Sequence, residues 1–537
     1  MEVQSLFTCQ IPDNINLVDF IFQYFDEYGS RVAVVDAKTG HSYTYAQIRE
    51  FTIKLASALL RLGLSNDDVV AIYAPNIPEY PIVFFGTVLA GGTACIVNPA
   101  YSVKELTNQL ELSEAKYIFT VSAFLDKAKE AAARRDISNI YVMDNITDSD
   151  ITLAQELLED DGSRYKSKKI NSCENIAAIA FTDGTTGSPK GVILTHHNII
   201  SNVSQAAVRP FFTVDEQDIL LALIPWFDIY GMVANLLIGL RFGGKLVSLA
   251  EANTTVFLET IQQHKITIAT ITPRIAASLS KQTLTGNINV SSLNDVIGAA
   301  APLGKEAQTV LGGNLGGSYR QAYGLTELSP VVAVVPSSKA IIGSVGKLVP
   351  HTKGKVVNIE TGEALPVGES GELCFKGPQV MKGYLGNQAA TESVIDEDGW
   401  LHTGDVGYYD ESGNLYIVDR LDEFIKYDDF QVAPAELEEV LLTHPKVSDA
   451  AVIGIPNIDG GELAKAFVVK CDNDITEKEL EDFVASEVAE HKKLYGGVEF
   501  IDTLPKSTGG KLLRRRLKEL EIEKIKAITQ FDTVESF

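Results

Sequence analysis

Over its first 420 residues the chain alternates short β-branched runs with longer stretches of helical period, and few architectures tolerate that pattern. "RVAVVDA" is followed by a turn and by "TYAQIREFTIKLASALLRLGL", whose apolar residues recur at three and four positions. "DDVVAIYAPN" reads as a further strand, and "ITIATIT" and "NDVIGAAAP" continue the theme. Strand and helix in alternation imply sheets covered by helices, so the expected fold class is α/β. From about Ile341 the texture changes. "GKVVNIETGEALPVGESGELCFKGPQVMKGYLG" has strands, glycines and prolines with little helical period, which predicts a small β-rich section. Beyond "GNLYIVDRLDEFIKY" helix and strand mix again, over a length that suits a small α+β domain. The expected division is 1–420 for a large N-terminal domain and 421–537 for a small C-terminal one, with a hinge near Asp419 to Phe424.

At 537 residues the chain is long enough for two packed units. A formal charge of −25 would repel nucleic acid and anionic lipid, so neither is an expected partner. The five cysteines form no CxxC pair, which gives neither a disulfide framework nor a zinc site and suits a reducing compartment. The start has Glu2 and no basic stretch before an apolar run, so no signal peptide is expected. No stretch approaches the roughly 20 apolar residues of a membrane span. The chain ends "VESF", not Ser-Lys-Leu. A cytoplasmic setting is the expectation; oligomeric state is left open.

"FTDGTTGSPKGVILTHHN", Phe181 to Asn198, gathers Gly184, Gly187 and Gly191 around Thr185, Thr186 and Lys190. A Walker A loop would run Gly-Lys-Ser/Thr into a helix. Here Pro189 precedes Lys190, and both "NIAAIAF" and "GVILT" read as strands, so the loop is expected to join two strands. Free backbone amides, two hydroxyls and one ammonium can form an anion nest there. A plain glycine-rich hairpin is the rival reading of the stretch alone.

The phrase Thr-x-Gly-Thr-Thr-Gly-x-Pro-Lys-Gly resembles the phosphate loop of the adenylate-forming superfamily, which holds acyl-CoA ligases, firefly luciferase and peptide-synthetase adenylation domains. "RQAYGLTEL" resembles its Tyr-Gly-x-Thr-Glu motif, "GWLHTGDVGYYD" its Thr-Gly-Asp, "VDRLDEFIKYDDFQVAPAELEEVL" its interdomain hinge, and "LPKSTGGKLLRR" the segment bearing its lysine. Five motifs stand in the family's order. Through "VDRL", "FQVAPAELE" and "KKLYGG" the chain is most similar to the branch of 4-coumarate–CoA ligase and luciferase.

The resemblance implies ATP, Mg²⁺ and CoA as cofactors and a carboxylic acid as substrate. The acid attacks the α-phosphate to give acyl-AMP and pyrophosphate, and a thiol then takes the acyl group. By the same resemblance Lys511 bridges the carboxylate and the α-phosphate, while Thr182, Asp183, Gly184, Thr185, Thr186, Gly187 and Lys190 surround the β- and γ-phosphates. Ala300, Gln321, Ala322, Tyr323, Gly324 and Thr326 line the nucleotide. Asp405 with Arg420 holds the ribose, and Glu327 helps hold Mg²⁺. Lys426 and Gln431 serve thioester formation after the small domain swings about the hinge. Tyr230, Pro330 and Val331, together with Ala300 and Ala322, line an apolar acyl pocket that suits an aryl or medium-chain acid. Arg514, Arg515 and Arg516 are expected on a solvated helix face.

Three departures from the family pattern all add acid. Asp183 stands where serine is usual, Asp228 where histidine is usual beside the reacting groups, and Asp428 and Asp429 where Lys-Gly is usual near CoA. Two like charges about 4 Å apart repel by roughly 4 kcal/mol at an effective dielectric near 20. The expected resolution at Asp183 is a bridging Mg²⁺, since hard cations take carboxylate and phosphate oxygens together. The alternatives to the ligase are a homologue that binds nucleotide or acyl ligand without turnover or without CoA, and a luciferase-like adenylate oxidase.

Overall fold

The computed structural model describes residues 2–532, apart from 145–151, 168, 183–188, 251–252, 273–274, 277–278, 280–287, 300–304, 315–317, 338–340, 422, 428–429, 458–460, 472–473 and 507–511. Among the described residues two large, mainly parallel sheets dominate. In one, the strands Ile176–Phe181, Thr93–Val97, Val69–Tyr73, Ala115–Thr120 and Asn139–Val142 lie side by side in parallel, with Gly191–Thr195 added antiparallel to Ile176–Phe181. In the other, Ser318–Gly324, Asp295–Gly298, Ile268–Ile271, Ile219–Ala222, Lys245–Ser248 and Val32–Asp36 are parallel, with Val331–Val334 antiparallel at one side. The strands Val69–Tyr73 and Thr93–Val97 are buried at every residue. That is what a parallel sheet covered on both faces requires, and it explains why these runs are apolar without alternation.

The α/β expectation therefore holds, and the helices behave as their sequences dictate. Tyr45–Arg61 starts with a capping box, Thr44 accepting from the amide of Gln47 while Gln47 reaches back to the amide of Thr44. Tyr80–Ala90 carries no polar stripe and is buried on every face. His196 opens the helix His196–Ala206, and its Nδ1 accepts the amide of Leu17 at 3.0 Å. Burial pushes this imidazole down to about 4.

The predicted β-rich section is an antiparallel sheet in the order Glu2–Gln4, Lys353–Val357, Gly371–Lys376, Leu401–Tyr409 and Leu415–Arg420. After it come a small hairpin, Ile425–Tyr427 with Phe430–Val432, and a three-stranded sheet of Val447–Pro456, Glu462–Lys470 and Val498–Phe500. Helices Pro434–Thr443 and Glu477–Glu487 contribute Leu437, Leu441, Leu480 and Val484 to a core that these strands share. No helix among the described residues is long and apolar enough to cross a membrane.

One expectation fails here. Arg515 and Arg516 are exposed at the start of the helix Arg514–Asp532, but Arg514 is not part of a solvated face. Its side chain is 14% exposed and pairs with Glu438 at 2.6 Å and with Glu423. The reason is that the first turn of this helix lies against the helix Pro434–Thr443 and the segment after Arg420, where two carboxylates need a shared cation.

Two outcomes follow from these buried groups. Removing one member of a buried ion cluster strands the others, so Arg514→Ala should destabilise the C-terminal sheet by about 3–5 kcal/mol, read as faster amide exchange in Val447–Pro456 and Glu462–Lys470. His196 takes up its proton in the unfolded chain near pH 6.5 but in the folded one only near 4. Its contribution is thus present above the unfolded value and lost as pH falls through that window, by about 3 kcal/mol in all. Urea unfolding of His196→Asn should show a flatter pH dependence between pH 6.5 and 4 than the native chain.

Candidate active site

The strands Ile176–Phe181 and Gly191–Thr195 pair antiparallel, with Gly191 opposite Phe181, and the amide of Thr182 donates to the carbonyl of Lys190 at 3.0 Å. The glycine-rich segment therefore joins two strands, as the sequence predicts. Lys190 emerges from this pair beside Tyr384, whose strand Gly383–Tyr384 adds to the same sheet with Tyr384 opposite Val192. The Lys190 ammonium stands 5.0 Å from the centre of the Tyr384 ring, within the range of a cation–π contact. The Tyr384 hydroxyl donates to Glu327 Oε1 at 2.7 Å. Burial and this carboxylate hold the phenol well above its ordinary value, so it remains a donor. Lys190 and Glu327, 137 positions apart in the chain, are thus brought to one tyrosine, the cation at its ring and the carboxylate at its hydroxyl.

A second constellation centres on Asp405. Tyr323, near the C-terminal end of the strand Ser318–Gly324, donates its hydroxyl to Asp405 Oδ2 at 2.6 Å. Arg420, directly across the ladder from Asp405, pairs with Oδ1 at 3.0 Å. The Asp405 side chain is only 6% exposed, so both partners are needed to hold its charge. Burial first, and then the carboxylate, pushes the Tyr323 phenol well above its ordinary value. The chain must then turn sharply after Tyr323. A Cβ at Gly324 would lie 2.0 Å from the Pro330 carbonyl oxygen, so glycine is required there. The amide of Leu325 donates to that same oxygen at 3.0 Å. Ala322 and Tyr323 sit near the C-terminal end of the strand Ser318–Gly324, which is parallel to Asp295–Gly298, and ligands of open α/β sheets bind at such ends.

The proposed acyl wall lies alongside. Ala322 pairs with Val334 and Gly324 with Val331, while Asn202 holds both the amide and the carbonyl of Val331. Tyr230 is buried and donates its hydroxyl to the carbonyl of Ile297 at 3.0 Å, on the strand beside Ser318–Gly324. Asp228 is exposed and engaged locally: its Oδ1 accepts the amide of Tyr230 at 2.8 Å and its carbonyl the amide of Met232. That is the geometry of a helix N-cap. The helix it starts runs in π winding over Gly231–Leu237, and a Cβ at Gly231 would lie 2.1 Å from the Pro225 oxygen.

In the hairpin after Arg420, Lys426 is exposed and lies opposite Gln431. Gln321 is buried, and Thr326 opens the short turn that carries Glu327. Asp183, Gly184, Thr185, Thr186, Gly187, Ala300, Asp428, Asp429 and Lys511 lie outside the described residues. Sequence reasoning misses Tyr384, whose only signal is its place in the "MKGYLG" run, and the cluster of Arg514 with Glu423 and Glu438.

The cap at Asp228 separates two readings of that residue. Asp228→Ala should cost about 1 kcal/mol of stability, whereas Asp228→Asn, which keeps the acceptor, should leave thermal unfolding unchanged. Any loss of activity in the asparagine variant then reports on charge alone.

Residues 22–385 match the family model described as AMP-binding enzyme, and 436–511 the AMP-binding enzyme C-terminal domain. The chain is 38% identical to "Probable 4-coumarate--CoA ligase 1" of Dictyostelium discoideum, over 97% of this chain and 99% of the relative. It is 37% identical to "4-coumarate--CoA ligase 1" of Petroselinum crispum, over 95% and 94%. Among solved structures, ATP-bound MatB from Rhodopseudomonas palustris superimposes with a TM-score of 0.85 at 27% identity, over 94% of this chain and 99% of that one. An anthranilate CoA ligase in complex with anthranoyl-AMP, at 23% identity and a TM-score of 0.87 over 96% and 99%, shares the fold. The chain belongs to the AMP-binding enzyme family, the adenylate-forming superfamily whose motifs its sequence carries.

Proposed function

We propose that the protein is an AMP-forming acid–CoA ligase. A carboxylate oxygen attacks the α-phosphorus of ATP, the bond to the β-phosphate breaks, and acyl-AMP and pyrophosphate result. The sulfur of CoA then attacks the acyl carbon, its proton is released and AMP leaves. The observation that carries this reading is the buried Asp405 carboxylate gripped by Tyr323 and Arg420 at the C-terminal edge of a parallel sheet. A carboxylate so placed can accept hydrogen bonds from two vicinal ribose hydroxyls, with the tyrosine ring beside the base. ATP-bound and adenylate-bound structures of the same fold support it.

In this assignment Lys190 and Thr182 meet the phosphates from the strand ends, and the threonines and glycines of 183–188 are proposed for the same role. Charge that builds on the phosphoryl oxygens in the transition state needs fixed cations and amide donors. The carboxylate of Glu327, whose Oε1 is 2.7 Å from the Tyr384 hydroxyl, fits Mg²⁺, which takes carboxylate together with phosphate oxygens. Bound there, the ion would neutralise phosphate charge. Lys511 is the proposed contact to the carboxylate and α-phosphate, and Lys426 and Gln431 are the proposed residues of the thioester step. Residues 1–420 are assigned to the large domain and 421–537 to the small one.

Tyr230, Ala322, Pro330 and Val331 offer ring, methyl and backbone surface, and the Tyr230 hydroxyl is already engaged by Ile297. An acid whose aryl body carries no further charge therefore fits best, in keeping with relatives named as 4-coumarate–CoA ligases.

Mass spectrometry of products from ATP, CoA and a mixed acid library, hydroxycinnamic acids included, should show AMP and one or a few acyl-CoA esters. Acyl-AMP without thioester would assign the acids at 428 and 429 a CoA-rejecting role; neither product would overturn the enzyme reading. Lys511→Ala should lower acid-dependent pyrophosphate exchange by two orders of magnitude or more while leaving thermal unfolding unchanged.

A further inference from the structure

The ladder between Gly371–Lys376 and Leu401–Tyr409 breaks its register beside Asp405. Glu372 faces Val406 and Cys374 faces His402, so Thr403, Gly404 and Asp405 together oppose Leu373 alone. Such a bulge re-aims the side chains it contains and leaves amides without ladder partners. Glu372 supplies what is missing. Its Oε1 accepts the amide of Gly404 at 3.1 Å, and its Oε2 lies 2.8 Å from His402 Nδ1. Thr403 completes the closure, donating its hydroxyl to the carbonyl of Leu373 at 2.8 Å and accepting the amide of Asp405 at 3.0 Å. Gly404 has a φ of +68° and gives its carbonyl to the amide of Leu421, the residue after Arg420.

Glu372, Cys374 and His402 also form a trio of the type that binds zinc, their donor atoms within 4.8 Å of one another. The distances argue for a hydrogen-bonded bracket instead. Two donors on one tetrahedral zinc, at bonds of about 2.0–2.1 Å, stand about 3.3 Å apart, whereas Nδ1 and Oε2 are at 2.8 Å. The other ring nitrogen of His402 faces Asp396 at 3.6 Å, and Asp396 lies 3.8 Å from Lys355, so the imidazole is oriented from both ends.

We propose that Glu372 is a positioning residue for the nucleotide: by holding Gly404 and His402 it fixes the bulge that aims Asp405 at the ribose hydroxyls, and so sets the preference for a ribonucleotide. The inference rests on the reading of Asp405 as the ribose contact. It predicts that damage to Glu372 is felt through the ribose and not through phosphate or acid.

Calorimetric affinities of the full chain for ATP and for 2′,3′-dideoxy-ATP test it, in the native protein, Glu372→Gln, His402→Asn and Asp405→Asn. A glutamine keeps one acceptor oxygen and loses the charge, so Glu372→Gln should weaken ATP about tenfold and the dideoxy analogue less than about twofold. His402→Asn should shift the same ratio in the same direction by a smaller factor, and it serves if Glu372→Gln does not fold. Equal weakening of both nucleotides, or an unchanged ratio in both variants while Asp405→Asn collapses it, would overturn the inference alone. An unchanged ratio in Asp405→Asn would overturn the ribose reading and this inference with it.

Discussion

The site depends on one buried carboxylate. Asp405 is reached by Tyr323 from the parallel sheet that contains Ser318–Gly324 and by Arg420 from the neighbouring strand of the antiparallel sheet, so its charge is satisfied when the two sheets stand in one relation. A carboxylate so enclosed is costly without its partners. That cost becomes specificity of assembly: the turn at Gly324, packed against Pro330, and the bulge at Thr403 to Asp405 are both local distortions that bring their side chains to this point. The Arg320 guanidinium, buried beneath them, donates to Asp295 at 2.9 Å and to the carbonyls of Val335 and Phe211, and so fixes the strands that carry Tyr323.

Charge is organised against the average of the molecule. The chain as a whole is strongly acidic, yet Lys190 and Arg420 face the region where an anionic nucleotide is proposed to bind. Each cation is oriented by an aromatic or a carboxylate partner, Lys190 by the face of Tyr384 and Arg420 by Asp405. Fixing donors before the ligand arrives is the condition under which they stabilise developing charge without reorganising.

Much of this is legible in the sequence, for a physical reason. Strands buried on both faces must be apolar throughout, so the runs at Val69–Tyr73 and Thr93–Val97 announce themselves, and the helix Tyr45–Arg61 ahead of them shows a 3.6-residue period. Phosphate-loop, Tyr-Gly-x-Thr-Glu and Thr-Gly-Asp segments are visible because each is a local stretch of backbone. What is hidden depends on distant partners. Tyr384 acquires its role only when a two-residue strand docks beside Gly191–Thr195. Glu372 is one acid in a β-rich run until the bulge exposes an amide to it. Arg514 reads as solvated because its carboxylates lie 76 and 91 positions upstream, beyond any helical period. Asp228 is the intermediate case: its cap is a contact two residues long, yet its position in the family pattern points toward the substrate.

The cluster around Arg514 also limits how this protein can be recombined with its relatives. Glu423 lies upstream of the C-terminal family match, which begins at residue 436, while Glu438 and Arg514 lie on the other side of that point or beyond its end. A chimaera joined at residue 436 would draw one acid from the host and the other acid and the arginine from the donor, leaving the electrostatic match to chance. A junction between Arg420 and Glu423 moves all three as a single inherited module.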